Sequence, residues 1–208
     1  GTQDLIRSIM KTERPDVVWI MTDPRFWGWL WDIENEIRAF APIVYYHVWD
    51  NYPYPVYNKK YYESNDVIVS ISKLTHDIVK TVTPDIEAHY LPHSVESDIF
   101  KPFDQEKIDQ FRKGHFPNDS EGRTIFFWNN RNARRKQSGS LLWWFKEFLD
   151  EVGHDKARLI MHTDPKDPYG QDLVAMLQDL KVSPDSITLS TRKVDKDTLA
   201  MMYNISDC

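Results

Sequence analysis

Short, continuously apolar runs alternate with amphipathic segments along nearly the whole chain, and this order limits the fold more than any other feature. The apolar runs cover residues 17–21, 43–46, 66–72, 89–91, 124–128, 157–164 and 186–191. Helical spacing of apolar residues covers 3–11, 27–41, 58–65, 73–82, 104–113, 138–153, 170–182 and 195–206. Continuously apolar strands joined by helices are typical of parallel sheets covered on both faces. We therefore predict an α/β protein.

A polar stretch over residues 96–123 interrupts this order, which then starts again. The chain has 208 residues, which suits one large or two small domains at about 100–200 residues each. We therefore predict two Rossmann-like parallel-sheet units, one within residues 1–101 and one within residues 102–208. Ligands of such sheets bind beyond the carboxyl ends of the strands, so polar residues at those ends are the first candidates for a site.

Charge and cysteine content exclude several classes of protein. The formal net charge is -6, whereas nucleic-acid binders usually carry a basic excess. The single cysteine is Cys208, so no internal disulfide can form, and this fits a reducing compartment. No apolar run approaches the ~18 residues that span a bilayer, and the polar start of the chain does not read as a signal peptide. We expect a cytoplasmic location.

The two ends of the sequence suggest a fragment. The chain begins at Gly1 without a methionine, and its last residues, Asp207 and Cys208, read as the first residues of another strand. We therefore expect both Rossmann-like units to be truncated.

The segment WNNRNARRKQSG, residues 128–139, concentrates positive charge in an acidic chain. Its cations are Arg131, Arg134, Arg135 and Lys136, and they lie between a predicted strand and a predicted helix. A helix N-terminus attracts anions through free N–H groups, and arginine grips phosphate with a planar fork. A diphosphate is therefore a natural ligand. The alternative is a solvated basic loop that pairs with nearby carboxylates.

Four segments, taken in order, resemble the glycosyl transferases group 1 (family 4-like) set of retaining GT-B glycosyltransferases. They are the strand–serine–helix unit VIVSISKLTHDIVK, the segment YLPHSVESDIFKP, the pattern Asn-Arg-x-x-x-Arg-Lys at 130–136, and the stretch ITLSTRKVDKDTLAMMYNISDC. The third differs from the family pattern, because Asn130 and Gln137 stand where the family usually has glycines. The resemblance covers nearly the whole chain and implies an acceptor-side first unit and a nucleotide-sugar-binding second unit.

The resemblance also implies roles for single residues. Arg131 and Lys136 would contact the diphosphate of the donor, and His47 would lie near the transferred sugar. Asp50 could orient His47 or bind acceptor hydroxyls, although a turn role is the simpler reading. His93 could approach the donor phosphates, and a structural role accounts for it equally well. The family needs no metal and no cofactor besides its donor.

Other polar and aromatic residues are weaker candidates. The loop aromatics could bind a sugar ring, but we expect them to pack the loop down; they are Trp49, Tyr52, Tyr54 and Tyr57. His162 and Asp164 end a predicted strand, yet their spacing is too short a signal for a metal site. The sequence contains no Walker loop and no Ser-His-Asp order, so nothing supports a nucleophile-based mechanism.

The sequence as a whole predicts part of a glycosyltransferase that moves a sugar from a nucleotide diphosphate to a carbohydrate, lipid or protein acceptor, with retention of configuration. Peripheral membrane contact fits this reading, and nucleic acid does not. The alternative is a non-catalytic α/β module that binds a phosphate-bearing ligand or a partner.

Overall fold

The computed structural model describes residues 1–117, 119 and 122–208. Its contacts divide the chain into two compact units, Gly1–Ser94 and Val95–Cys208. The sequence-based division lay at residues 101 and 102. The assignment of the two units to the acceptor and donor sides stays a prediction.

The first unit is a four-stranded parallel sheet with helices between the strands. The strands lie in the order β1-β2-β3-β4. In chain order the elements are α1 (Gln3–Glu13), β1 (Val18–Thr22), α2 (Gly28–Trp31), α3 (Glu34–Arg38), β2 (Ile43–His47), α4 (Lys59–Glu63), β3 (Val67–Ser70), α5 (Lys73–Val82) and β4 (Glu87–Tyr90).

The second unit is a three-stranded parallel sheet in the order β5-β6-β7. Its elements are α6 (Gln105–His115), β5 (Thr124–Asn129), α7 (Ser138–Val152), β6 (Ala157–His162), α8 (Leu173–Leu180), β7 (Ile187–Ser190) and α9 (Lys196–Asn204). The prediction of an α/β protein with two Rossmann-like parallel sheets is therefore confirmed.

Apolar strand residues and one face of each helix form the cores. The first core contains Ile20, Leu30, Ile37, Ile43, Tyr45, Tyr62, Ile68, Ile78 and Val79. The second unit has two clusters, one on each face of its sheet, with Leu142, Leu149, Leu159, Met161 and Leu173 in one, and Ile108, Ile125, Ile160, Met202 and Ile205 in the other. Burial of these side chains is the main source of stability in each unit.

Local signals explain where four of the described helices begin and where one ends. The side chains of Thr2, Ser72, Asp172 and Asp195 accept hydrogen bonds from the first turns of α1, α5, α8 and α9, as N-cap residues do. Helix α7 ends at Gly153, where φ is 110°, a backbone conformation that favours glycine.

Two expectations about helices are wrong. The single helix expected over residues 27–41 is broken into α2 and α3, because Ile33 between them has φ -122° and ψ 24° and packs into the core. By residue type Ser138 or Ser140 is the expected N-cap of α7, but neither takes that position. Gln137 takes the N-cap position with φ 52°, and Ser138 instead donates a hydrogen bond to Asn132 Oδ1.

The last two residues hydrogen-bond to β5, but they form no strand of their own. Cys208 N–H donates to Ile125 O at 3.3 Å, and Phe127 N–H donates to Cys208 O at 2.8 Å, which is the pattern of a parallel bridge. The Asp207 carboxylate supports this pairing by accepting the Ile125 N–H at 2.7 Å.

Candidate functional site

The carboxyl ends of the strands place polar side chains next to one another in both sheets. In the first sheet the register aligns Thr22, His47 and Ser70. In the second it aligns Asn129, His162 and Ser190, and His162 Nδ1 lies 2.9 Å from Ser190 Oγ. Ligands of parallel sheets bind at such rows.

The cationic loop, residues 130–137, follows β5 and leads into α7. Its end forms a short 3-10 turn, Arg134–Lys136. Gln137 then adopts a left-handed conformation with φ 52°. That conformation favours glycine, so Gln137 keeps a glycine-like backbone at a position where the resembling family has glycine.

Arg131 in this loop is held on one edge by a carboxylate. Its Nε lies 2.6 Å from Asp167 Oδ2, and its Nη2 lies 3.2 Å from Asp167 Oδ1. Its Cζ also lies 5.0 Å from the centre of the Tyr169 ring. Within the described part of the chain, Nη1 makes no hydrogen bond. The outer edge of the guanidinium is therefore open to a ligand, and 61% of the side chain is exposed.

Lys136 has a different environment from Arg131. Its backbone N–H donates to Ala133 O at 2.8 Å, and the residue is half-buried. Among residues 1–117, 119 and 122–208, no hydrogen bond or ion pair engages its ammonium group. Arg131 and Lys136 thus both keep N–H groups that are free to donate hydrogen bonds to phosphate oxygens.

A second loop, the β6 loop of residues 163–172, packs on the cationic loop. The Asn132 side-chain amide donates to Gln171 O at 2.7 Å, and Arg134 N–H donates to Tyr169 O at 3.0 Å. A side chain at Gly170 would collide with the backbone oxygen of Asn132. The Gln171 side chain accepts the Gly139 N–H of α7 at 2.8 Å. The sequence patterns did not identify this loop as part of the site, although its turn-forming segment DPKDPYG follows the end of a strand.

Electrostatics in these two loops follow from the Arg131–Asp167 pair. Hydrogen bonds from Arg131 and from the Tyr169 N–H lower the pKa of Asp167 below its usual value, and Asp167 raises the pKa of Arg131. Both groups are therefore ionised at neutral pH. The local excess of positive charge comes from Arg134, Arg135 and Lys136.

His47 in the first unit is fully buried, and both of its ring nitrogens have partners. Nδ1 lies 2.9 Å from the Tyr45 hydroxyl, and Nε2 lies 2.8 Å from the Tyr62 hydroxyl. The Tyr45 hydroxyl donates its proton to Thr22 O at 2.5 Å, so it accepts the Nδ1 proton. Nε2 then accepts from Tyr62. A substrate hydroxyl could reach His47 only by displacing a tyrosine.

Burial determines the charge of this network. Desolvation lowers the pKa of His47 to about 3 and raises the pKa of Tyr62 to about 12. The histidine is thus neutral at physiological pH. The chain of hydrogen bonds ends at Thr22, whose φ is 108°, and a β-branched residue rarely adopts that conformation.

The other two candidates in the first unit are exposed. His93 Nδ1 lies 3.1 Å from the Tyr46 hydroxyl, and the two rings stack at 5.3 Å. Asp50 makes no hydrogen bond or ion pair with the described residues. It does not orient His47, because both nitrogens of that ring bind tyrosines. The contacts proposed for His93 and Asp50 with substrate stay predictions.

The loop aromatics divide into two groups. Trp49 and Tyr54 pack against the first core, as expected, whereas Tyr52 and Tyr57 are exposed. Among the residues that the structure describes, no cluster of three or more potential metal ligands occurs, and no helix is long and apolar enough to cross a membrane.

No protein-family model matches the sequence, and no curated protein matches it. Solved structures do match. A trehalose 6-phosphate synthase from Burkholderia multivorans is 12% identical with a TM-score of 0.68 over 97% of this chain and 52% of that one. Anabaena HepE, solved with UDP and glucose, is 10% identical with a TM-score of 0.69 over 98% and 55%. These proteins are GT-B glycosyltransferases. The chain has a GT-B fold.

The GT-B resemblance expected from the motifs is thereby confirmed for the fold. The chain spans about half the length of the solved structures that it matches. A further similar structure, from E. coli and described as trehalose-6-phosphate bound with UDP-2-fluoro glucose, is 14% identical with a TM-score of 0.66 over 98% of this chain and 54% of that one.

Proposed function

We propose that the chain is part of a glycosyltransferase and that its second unit binds the diphosphate of a nucleotide-sugar donor. The observation that carries this proposal is that one loop, which leads into a helix N-terminus, holds both Arg131 with an open outer edge and Lys136, whose ammonium has no partner among the described residues. Both donor groups suit phosphate oxygens. The GT-B fold supports the proposal, as does the description of similar proteins with bound UDP or a UDP sugar.

The chemical role of the two cations follows from the charge of the leaving group. When the bond between the sugar and the diphosphate breaks, negative charge grows on the diphosphate. Fixed positive charges beside it stabilise that charge and lower the barrier. Retention of the anomeric configuration and a sugar contact of His47 belong to this proposal. The His47 contact requires that Tyr62 leave Nε2.

Removal of both cations tests the proposal most directly. We expect Arg131→Ala with Lys136→Ala to weaken binding of UDP, GDP or ADP by at least about tenfold, because charge-assisted hydrogen bonds to phosphate are lost. Titration calorimetry at 0.15 M salt measures the affinity.

The matched control is Arg134→Ala with Arg135→Ala. This pair removes the same charge from the same loop, and both side chains are exposed. If the control weakens binding as much as the test pair does, general charge and not the proposed contacts holds the nucleotide. If neither pair changes the affinity, the donor-site assignment is wrong.

A second candidate function is a module that binds a phosphate-bearing ligand without catalysis. The buried, fully hydrogen-bonded state of His47 favours it. Incubation with UDP, GDP and ADP sugars distinguishes the two functions. Release of nucleoside diphosphate, with an α-linked donor giving an α-linked product, supports a retaining transferase. Tight binding without release supports the module.

A further inference from the structure

Arg131 is held by the β6 loop in a way that leaves one edge of its guanidinium free. The Nε/Nη2 edge binds both oxygens of Asp167, and Cζ lies over the Tyr169 ring, 5.0 Å from its centre. An arginine has five N–H donors in a fixed fork, and Asp167 engages only those on the inner edge. The edge that includes Nη1 therefore points away from the carboxylate.

Asp167 is itself well fixed. Its side chain is 9% exposed, and its Oδ1 accepts the Tyr169 N–H at 2.9 Å. The Gly170 N–H donates to Asp167 O at 2.9 Å, which closes a tight turn. The carboxylate that holds Arg131 is thus part of a rigid loop, and Asn132 and Gln171 join that loop to the cationic loop.

We propose that Asp167 and Tyr169 are positioning residues that fix Arg131 with its outer edge toward the donor diphosphate. This inference rests on the function proposed above. A free arginine side chain would lose rotamer freedom when it binds phosphate, and immobilising one rotamer-rich side chain costs about 0.5–1.5 kcal/mol. The β6 loop has already removed that freedom. In the opposite role, Asp167 competes with the ligand for Arg131, and the phosphate has to displace its carboxylate from the guanidinium.

The two roles predict opposite effects once charge is controlled. Asp167→Asn breaks the two-oxygen contact with the inner edge, because an amide offers one acceptor oxygen where the carboxylate offers two, and it removes one negative charge. Asp164→Asn removes the same charge from the same loop, and it leaves Arg131 untouched because Asp164 Oδ1 accepts only the Lys166 N–H. Binding of inorganic pyrophosphate and of UDP is measured by calorimetry at 0.15 M salt.

If Asp167 positions Arg131, the Asp167→Asn variant should bind pyrophosphate about 2- to 12-fold more weakly than the Asp164→Asn variant. This factor is the free-energy cost of ordering one side chain, converted into a ratio of dissociation constants. Tyr169→Leu should also weaken binding, whereas Tyr169→Phe, which keeps the ring, should match the wild type. Thermal midpoints of the four variants separate these effects from unfolding.

A spectroscopic signature tests the clamp without any ligand. The Arg131 Nε–Hε group, hydrogen-bonded to Asp167, should give a slowly exchanging NMR signal in the wild type and in Asp164→Asn. In Asp167→Asn the signal should exchange faster, because one amide oxygen cannot serve both Arg131 and the Tyr169 N–H as the two carboxylate oxygens do. An unchanged exchange rate in Asp167→Asn would overturn the clamp.

The outcomes separate this inference from the function on which it rests. If the wild type binds pyrophosphate or UDP and Asp167→Asn binds at least as tightly as Asp164→Asn, Asp167 does not position Arg131 and only the inference is overturned. If the wild type binds neither probe, the proposed function is overturned and the inference is overturned with it.

Discussion

At the scale of single residues, the buried network of the first unit determines what His47 can do. Tyr62 donates to its Nε2, its Nδ1–H is accepted by Tyr45, and Tyr45 donates to the backbone of Thr22. Every polar atom along this line is therefore satisfied, as buried polar groups require. The network connects α4 to the ends of β1 and β2, so its first effect is on the stability of the strand ends.

This network predicts a loss of stability in mild acid. The unfolded chain binds a proton at His47 below pH about 6.5, whereas the folded chain does not until its pKa of about 3. Protonation in this window therefore favours the unfolded state. The contribution of neutral His47 to the free energy of unfolding is complete above pH about 6.5, and it falls by about 1.4 kcal/mol per pH unit below that pH.

The measurement compares the wild type with His47→Gln in urea unfolding between pH 7.5 and 4.5. The difference in the free energy of unfolding between the wild type and His47→Gln should decrease as the pH falls. His89→Gln, which removes an exposed ring, should leave the acid dependence caused by His47 in place. Parallel curves for the wild type and His47→Gln would contradict the buried neutral histidine.

At the scale of elements, the candidate donor site is built by two loops that follow neighbouring strands. The cationic loop follows β5, and the β6 loop follows β6. Because β5 and β6 are parallel and adjacent, their loops leave the sheet at the same edge. Asn132 is fully buried between them, and its amide binds the β6 loop through both donor and acceptor atoms.

Gly170→Ala should disturb this packing. The added methyl group would collide with the backbone of Asn132, so one loop has to move. We expect a loss of about 1–3 kcal/mol in the free energy of unfolding, as for other overpacked sites, together with weaker pyrophosphate binding. Urea unfolding and calorimetry measure the two effects.

The control for this variant is Gly114→Ala. A side chain at Gly114 in α6 would meet no atom within 4 Å. Alanine is the better helix former, so this change should keep pyrophosphate binding and stabilise the chain by up to about 1 kcal/mol. Equal losses of stability in the two variants would show that Gly170 has no special packing role.

At the scale of the whole molecule, each compact unit has its own sheet and its own buried core. Arg131, Lys136, Asp167 and Tyr169 all lie in the unit Val95–Cys208. That unit also contains the pairing of Cys208 with β5 and the contacts of Asn204 with the backbone of Lys101 and Phe103. The proposed diphosphate contacts therefore depend on this unit alone.

Residues 95–208, expressed alone, should fold and bind pyrophosphate with nearly the affinity of the whole chain. Circular dichroism checks the helical content, and calorimetry measures the binding. Residues 1–94 serve as the matched control, since they contain none of the four residues. A folded second unit that does not bind pyrophosphate, beside a whole chain that does, would show that the first unit contributes to the site.

The sequence by itself determined the α/β class, the two parallel sheets and the position of the cationic loop. These features depend on local patterns. Apolar runs identify buried strands, and a cluster of charged residues can be recognised directly from the sequence. The same local reasoning predicted one helix over residues 27–41, because helical spacing continues through Ile33. At Ile33 the backbone leaves the helical conformation and the side chain packs into the first core, a tertiary contact that helical spacing does not report.

Only the tertiary structure decided the partners of the candidate residues. Asp167 lies 36 residues after Arg131 in the chain, and Tyr62 lies 15 residues after His47, so no spacing rule connects either pair. Arg131 and Asp167 meet because adjacent parallel strands bring their loops to one edge of a sheet. Tyr62 meets His47 because α4 packs its hydroxyl against the end of β2. That packing gave Arg131 a carboxylate on one side and an open edge on the other, and it buried His47 among hydroxyls.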